Sequence, residues 1–137
     1  MLFRSRACGV AQAAIEKACQ YVVQRRQFGL PLSEYQLTQH RIGEMSMRIA
    51  AARQLTYAAA REFDSRGMEA PMAKLLACDV AVAVTQAAQQ LHGGWGYSEE
   101  DPISRLVVDA LVLPIFEGVK PILELKVIGR GLLAAAQ

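Results

Sequence analysis

The stretch from residue 71 to residue 92 is apolar on nearly every side, and this limits the fold more than any other feature. Only Lys74 and Asp79 carry charge within it. A helix that is apolar all round has to be enclosed by other elements. Pro71 suits the first turn of such a helix, where a missing backbone N–H costs nothing. The sequence therefore predicts a central helix over 71–92.

The other helices follow from apolar residues spaced three and four apart. We expect a first helix over 8–25, a second over 34–64, a short connector over 102–113 and a last helix over 119–134. Ser33 offers an N-cap for the second helix, and 64–67 is predicted to be a loop. The last helix carries one apolar stripe: Ile122, Leu125, Ile128 and Leu132. With 137 residues, the chain is predicted to be one all-α domain, an up-and-down four-helix bundle with a short extra connector helix.

Composition excludes several classes of function. Fifteen basic and thirteen acidic residues give a formal charge of +2, which is too balanced to indicate a nucleic acid or an anionic membrane as partner. No Cys or His pair has the spacing of metal ligands. No stretch approaches the roughly 20 apolar residues of a membrane span. Three scattered cysteines are typical of a reducing compartment, so we expect a cytoplasmic protein, with an organelle matrix as the alternative.

A single carboxylate, Glu117, lies between an apolar run and the last helix, in the segment Pro-Ile-Phe-Glu-Gly-Val-Lys-Pro. One interpretation is a helix-start residue, because an anion near the positive end of a helix dipole is favoured. The other is a general base held against apolar walls, where burial would raise its pKa. Gly118 removes side-chain bulk beside it. Position alone leaves both interpretations open.

A second cluster, Gln-Gln-Leu-His-Gly-Gly-Trp-Gly-Tyr over 89–97, ends the central helix with three glycines in four residues. It is either a helix stop followed by a loop or a place where a ligand lies directly on backbone. His92 is expected to satisfy a local hydrogen bond. A third cluster, Arg-Arg-Gln-Phe-Gly-Leu-Pro-Leu over 25–32, reverses the chain after the first helix.

In this order and at these separations, the three clusters resemble the C-terminal helical domain of the acyl-CoA dehydrogenases over nearly the whole chain. In that family an acyl-CoA thioester is dehydrogenated between its α and β carbons by a carboxylate base and FAD. The resemblance implies that Glu117 is the base, with its own backbone N–H among the donors to the thioester carbonyl. It implies that Gly118 leaves room for the substrate carbon.

The same resemblance assigns cofactor contacts. It places Arg25, Gln27 and Phe28 at the FAD diphosphate and its surroundings, and Gln36 on the adenine side. Gln90, Gly93 and Gly94 would form a backbone-rich surface under the adenosine. In the family these contacts often reach the flavin of a neighbouring subunit, so a homo-oligomer is expected.

The chain departs from the family pattern in ways that keep other hypotheses open. Val119 stands where a threonine is usual, and Val108 where an arginine is usual; Arg4 and Arg6 do not map onto the family's arginine at the head of the first helix. The family's N-terminal helical domain and middle β-domain are absent from the chain. We therefore expect it to retain no FAD and to be inactive alone, as a fragment or as one chain of a split enzyme whose other chain carries those domains. The alternatives are a non-catalytic oligomerisation module, or a relative acting on a substrate other than a CoA ester.

Overall fold

The computed structural model describes residues 2–61 and 68–136, and within them the chain is an all-α bundle. Its long helices are α1 (Leu2–Gln24), α2 (Gln36–Arg61) and α3 (Glu69–His92), followed by a shorter α4 (Pro102–Val112). A C-terminal helical run then comprises α5 (Lys120–Ile122), a π-helical segment (Leu123–Gly129) and α6 (Arg130–Ala135). The predicted fold class is confirmed. The loop predicted at 64–67 lies outside the described residues.

Helix α3 is the centre of the bundle, as predicted, because it packs against α1, α2 and α4. It buries residues on most of its circumference: Ala73, Lys74, Leu75, Ala77, Cys78, Val80, Ala81, Val84, Thr85, Ala88 and His92. By length and composition alone this helix could cross a membrane, contrary to the expectation that no stretch comes close. About half of its most apolar window is buried inside the bundle, as for a central bundle helix.

Small side chains let α1 approach α3 closely. Four alanines on one face of α1 are fully enclosed: Ala7, Ala11, Ala14 and Ala18. Ile103 near the start of α4 is also fully enclosed, and Asp101 caps that helix by accepting a hydrogen bond from the Ile103 N–H at 2.8 Å. An alanine-lined seam of this kind holds helix backbones at short distances and gives the bundle a rigid frame.

The connection from α1 to α2 is more ordered than the simple turn that the sequence suggested. Two short strands, β1 (Arg26–Gln27) and β2 (Leu30–Pro31), pair antiparallel, and a 3-10 turn (Leu32–Glu34) leads to α2. Ser33 lies inside that turn, and α2 begins three residues later. The predicted N-cap role of Ser33 was therefore wrong.

The C-terminal helical run differs from the regular helix expected there. Its middle is π-helical, and the stripe predicted from the spacing is largely uncovered: Ile122, Leu125 and Leu132 are 44%, 62% and 52% exposed. A π-helical segment inserts extra backbone into each turn, so residues spaced for an α-helix no longer share one face. The described part of the chain leaves this apolar surface open.

Candidate functional site

The hairpin after α1 is held by contacts from both of its neighbours. The N–H of Leu32 donates to the Arg25 carbonyl at 2.8 Å, and the Tyr35 hydroxyl donates to the Gln27 carbonyl at 2.7 Å. Phe28 and Gly29 form its two-residue turn, both with positive φ, 50° and 85°. This is the type I′ pattern that suits the twist of a hairpin. Arg25 and Gln27 are thus fixed at one end of the bundle.

At the same end, α3 stops at the glycine cluster. Gly93 is the C-cap of α3 with φ 61°, and residues Gly93–Tyr97 turn back as a 3-10 helix. A positive φ just past the end of a helix is a conformation that glycine adopts without steric cost. The cluster therefore ends the helix, as its first interpretation held, and also faces the hairpin.

Between these two segments lies an open groove with a volume of about 820 Å³. Its lining residues are Tyr21, Gln24, Arg25, Gln27, Leu32, Thr38, Gln90, Leu91, His92, Gly93, Gly94 and Trp95. Five of the seven residues that the sequence assigned to a cofactor are in this set: Arg25, Gln27, Gln90, Gly93 and Gly94. Residues more than sixty positions apart in sequence therefore meet in one place.

The groove is suited to an anionic ligand with an aromatic part. Arg25 contributes a permanent positive charge, and no Asp or Glu is among the described lining residues. A guanidinium can bind two oxygens of a diphosphate at once. Trp95, which is half exposed, offers a face on which a purine could stack. The groove thus combines a charge for phosphate with a surface for a base.

The glycines of the cluster differ in why glycine is needed. A Cβ on Gly96 would lie 2.6 Å from the Gln89 carbonyl oxygen and 2.8 Å from the His92 Cβ, so Gly96 is required by packing. A Cβ on Gly94 would meet nothing within 4 Å, and its φ is not in the left-handed region. The described chain therefore gives no reason for a glycine at 94. A ligand or a second chain lying against the backbone there would supply one.

Several groove residues were not found from the sequence. Tyr21 and His92 stack with ring centroids 4.3 Å apart, and Tyr21 comes from the first helix, where it looked like an ordinary helical residue. His92 is 3% exposed and its Nδ1 lies 2.7 Å from the Ala88 carbonyl oxygen, which confirms the expected local hydrogen bond. Trp95 stood within the glycine cluster and was the one detectable signal.

The two remaining predicted cofactor residues are not among the groove-lining residues. Phe28 is at the hairpin tip and 96% exposed, and Gln36 begins α2 with an exposed side chain. Both lie at the same end of the bundle as the groove, and both side chains are exposed. Their predicted roles stay predictions.

Glu117 lies in the connection between α4 and α5. Its side chain is exposed in this chain, so the apolar walls expected around it are not provided by the described residues. The general-base role stays a prediction. The helix-start interpretation was wrong, because α5 begins at Lys120 with Val119 as its N-cap and no acid in its first turn. Glu117 has a φ of 54° and Gly118 a φ of 104°. Two successive left-handed residues make a sharp turn, and a non-glycine residue in it is strained.

Contacts and backbone geometry within this chain are enough to require glycine at position 118. Beyond its positive φ, an added Cβ would lie 3.2 to 3.3 Å from the Leu123 side chain. Its predicted role in making room for substrate stays a prediction, since turn and packing already require glycine here.

Three side chains of α3 hold the segment around Glu117. The Cys78 thiol donates to the Leu113 carbonyl, with Sγ and O 3.4 Å apart. The Lys74 ammonium donates to the Gly118 carbonyl at 2.6 Å. Asp79 pairs with Lys120 at 2.5 Å, a contact that raises the pKa of the lysine. The connection between α4 and α5 is therefore held to α3 at three places, and of the three contacts only that of Lys74 reaches the strained pair itself.

Cys78 is suited to act as a donor. Burial raises the pKa of its thiol above the ordinary value, against a smaller opposite effect of the nearby Lys74 charge. The group therefore stays protonated at neutral pH and keeps its S–H for the Leu113 carbonyl. Among the described residues, no cluster of three or more His, Cys, Asp or Glu side chains could hold a metal ion.

The groove and the Glu117 turn lie at different levels of α3. Lys74 and Gln90 are separated by sixteen residues, which corresponds to roughly 24 Å at about 1.5 Å per residue. The two places are thus separate sites on one chain, joined by a rigid central helix.

Comparison with known proteins matches this arrangement to one family. The family model described as acyl-CoA dehydrogenase, C-terminal domain, matches residues 1–133. The short-chain specific acyl-CoA dehydrogenase of Megasphaera elsdenii is 42% identical over 94% of this chain and 34% of its own length. The (2S)-methylsuccinyl-CoA dehydrogenase of Cereibacter sphaeroides is 46% identical over 94% of this chain and 24% of its own length.

Solved structures give the same result. The butyryl-CoA dehydrogenase of Megasphaera elsdenii superposes with a TM-score of 0.91 at 41% identity, covering 96% of this chain and 35% of that protein. The chain spans between about a quarter and about a third of the length of these relatives. On both sequence and fold, it belongs to the acyl-CoA dehydrogenase family and corresponds to the C-terminal helical domain of that family.

Proposed function

We propose that the chain is the C-terminal domain of a FAD-dependent enzyme that dehydrogenates an acyl-CoA thioester between its α and β carbons. The observation that carries this proposal is the meeting of Arg25, Gln27, Gln90, Gly93 and Gly94 in one groove. The resemblance to the acyl-CoA dehydrogenases assigns each of them to FAD. A residue set chosen for one ligand would not be expected to converge on one groove otherwise.

The residues present fit FAD. Arg25 can pair with the diphosphate, Trp95 can stack on the adenine, and the bare backbone at Gly94 allows close approach. Bound FAD would accept the hydrogen that leaves the β carbon as hydride. The chain's own residues bind and orient the adenosine-diphosphate part, and they leave the ring system to other parts of the protein.

Glu117 is proposed to remove the proton from the α carbon of the thioester. A carboxylate serves as a general base when water is excluded around it. Because its side chain is exposed here, the covering walls have to come from protein outside this chain. The thioester carbonyl oxygen, which gains charge as the proton leaves, would accept hydrogen bonds, including one from the Glu117 backbone N–H.

The separation of the two sites supports assembly from more than one copy. The groove and the Glu117 turn are roughly 24 Å apart along α3, at about 1.5 Å per residue. In such an assembly, the groove of one copy could hold FAD for an active site that the Glu117 of another copy would complete. A homo-oligomer could therefore use both sites of every chain.

Replacing Glu117 with glutamine tests the reaction directly. In the FAD-loaded protein that contains this chain, turnover of acyl-CoA should fall by roughly a hundredfold or more, the scale of a lost general base. Flavin content, read from visible absorbance, should stay unchanged because the groove is distant. Glu124→Gln makes the same chemical change at another exposed carboxylate and should leave turnover intact. Near-normal turnover in Glu117→Gln would refute the proposed role.

Two glycines of the cluster test the groove. Gly94→Ala adds a methyl group into open space, so the fold should be unaffected while FAD affinity falls. Gly96→Ala forces a contact with the Gln89 carbonyl oxygen and should destabilise the fold by about 1–3 kcal/mol. Unfolding and FAD titration of both variants separate the two effects. An unchanged FAD affinity in Gly94→Ala would remove the groove from the cofactor site.

The second candidate function is a non-catalytic oligomerisation module. Val119 and Val108 in place of the family's threonine and arginine favour it, as do the apolar side chains left open on the C-terminal run. A module of this kind would bind no flavin with its partner chains, and Glu117→Gln would then have no measurable effect. A flavin absorbance spectrum of the assembled protein distinguishes the two.

A further inference from the structure

Lys74 is an unusual residue for its place in the molecule. It is 6% exposed on a central helix whose other buried residues are mostly apolar. Because its surroundings are this chain's own residues, further domains can only bury it more. Desolvating an ammonium group is costly unless a charge of opposite sign compensates it. Within 2–61 and 68–136, no carboxylate lies within 4.0 Å of Lys74 Nζ.

The ammonium has a single hydrogen-bond partner in the described chain, the carbonyl oxygen of Gly118 at 2.6 Å. That carbonyl belongs to the second of the two left-handed residues that form the Glu117 turn. Left-handed backbone at a residue with a side chain persists only when its surroundings fix it. The hydrogen bond fixes the orientation of the Gly118 peptide, and the Leu123 side chain fills the space behind it. The two contacts together restrain the turn that contains Glu117.

We propose that Lys74 is a positioning residue for Glu117: it holds the Glu117–Gly118 turn in its strained form and so aims the carboxylate and its backbone N–H. A hydrophobic side chain at 74 would suit the stability of α3 better, since the buried charge would disappear. The loss of stability caused by the buried ammonium is tolerated because Lys74 positions Glu117. This inference rests on the proposed function of Glu117 and adds Lys74, for which no role was predicted from the sequence.

The hydrogen bond made by Cys78 provides a matched comparison for that of Lys74. Cys78 lies one turn along the same face of α3 and also donates to a carbonyl of the segment, that of Leu113. Leu113 precedes Pro114 and lies four residues before Glu117. Losing this bond should loosen packing without releasing the left-handed pair.

The test uses Lys74→Met, which keeps most of the length of the side chain and removes the donor, in the FAD-loaded protein. We expect kcat per bound flavin to fall between about tenfold and a hundredfold, the scale of a base misplaced by about 1 Å, with KM changed by less than about threefold. The primary isotope effect with a substrate deuterated at the α carbon should rise, because proton removal becomes slower. Flavin content should be unchanged.

Cys78→Ala should lower thermal stability but leave kcat per flavin and the isotope effect unchanged. Lys74→Gln, which retains an N–H donor, should recover part of the lost rate, and it serves if Lys74→Met does not fold. Normal kcat per flavin and a normal isotope effect in Lys74→Met would overturn the proposal, and so would a Lys74→Gln rate no higher than that of Lys74→Met. If Glu117→Gln is inactive while the Lys74 variants are normal, only the positioning role fails; if Glu117→Gln is active, the proposed function itself fails.

Discussion

Phe28 adopts a φ of 50° at the tip of the hairpin, with 96% of its side chain exposed. Type I′ turns favour Asn or Gly at this position, because both tolerate positive φ. Phenylalanine there gains no burial within the chain and bears backbone strain. Such an outlier suggests a role outside the chain, in line with the contact near FAD that the resemblance implies.

Phe28→Asn should therefore separate stability from function. Asn-Gly is the preferred pair for this turn, so the free energy of unfolding without cofactor should rise by a few tenths to about 1 kcal/mol. FAD affinity should fall, because the exposed ring is lost. Thermal unfolding without cofactor and FAD titration measure the two effects. Leu30→Asn, at an exposed neighbouring strand position, controls for general polarity; a stabilised variant with unchanged FAD affinity would contradict a cofactor role for Phe28.

For single residues, the sequence could predict which ones would contact a cofactor, but not that they lie together in one groove. Arg25 and Gly93 belong to clusters that are recognisable in the chain, and their assignment came from resemblance to a family. Tyr21 was missed because nothing in its local pattern distinguishes it from other helical positions. Its place in the groove depends on how α1 packs beside α3, which is a tertiary property.

Among the elements, α3 was predicted best and the C-terminal run worst. The sequence of α3 is apolar on nearly all sides, and a helix of this kind is stable only at the centre of a bundle. The π-helical segment has no comparable sequence signal: it brings the Glu124 carbonyl oxygen within 3.1 Å of where a Gly129 Cβ would lie, five residues along. The hairpin was missed because strands of two residues carry too little pattern to detect.

The hydrogen bond from the Cys78 thiol on α3 to the Leu113 carbonyl predicts that the stability of the fold depends on pH. Burial raises the pKa of the Cys78 thiol above its ordinary value of 9.0, so the folded state holds this proton more tightly than the unfolded state does. The resulting stability is fully present below about pH 9 and is lost as pH rises through the folded pKa, with a slope of at most about 1.4 kcal/mol per pH unit.

Cys78→Ser should keep a donor to Leu113 and abolish this titration. The difference in stability between wild type and variant should be constant below pH 9 and should move in favour of the variant above it. Unfolding midpoints across a pH series give this comparison directly. Cys19 also has a pKa raised by burial, so Cys19→Ser is run beside it; an unchanged difference above pH 9 would show that the Cys78 thiol does not titrate differently on folding.

For the molecule as a whole, the exposed apolar surface is the feature that the fold of one copy leaves unexplained. The C-terminal run exposes several large apolar side chains: Ile122, Leu125, Val127, Leu132 and Leu133. Monomeric proteins seldom leave such residues together in water. The sequence predicted a stripe here, but whether one copy covers it depends on helix packing that periodicity does not specify.

We therefore predict that the 137-residue chain self-associates through this run. Leu125→Asp should shift the chain toward monomer, because a charge placed in an apolar interface between copies is costly to bury. Leu37 on α2 is as exposed as any residue of the run, at 71% against 62% for Leu125, so Leu37→Asp adds the same charge elsewhere and should leave association unchanged. Sedimentation velocity over a range of concentrations distinguishes the variants. Wild-type chain that stays monomeric at every concentration would mean that this surface is covered by other parts of the protein, and equal effects of the two substitutions would place the interface away from the C-terminal run.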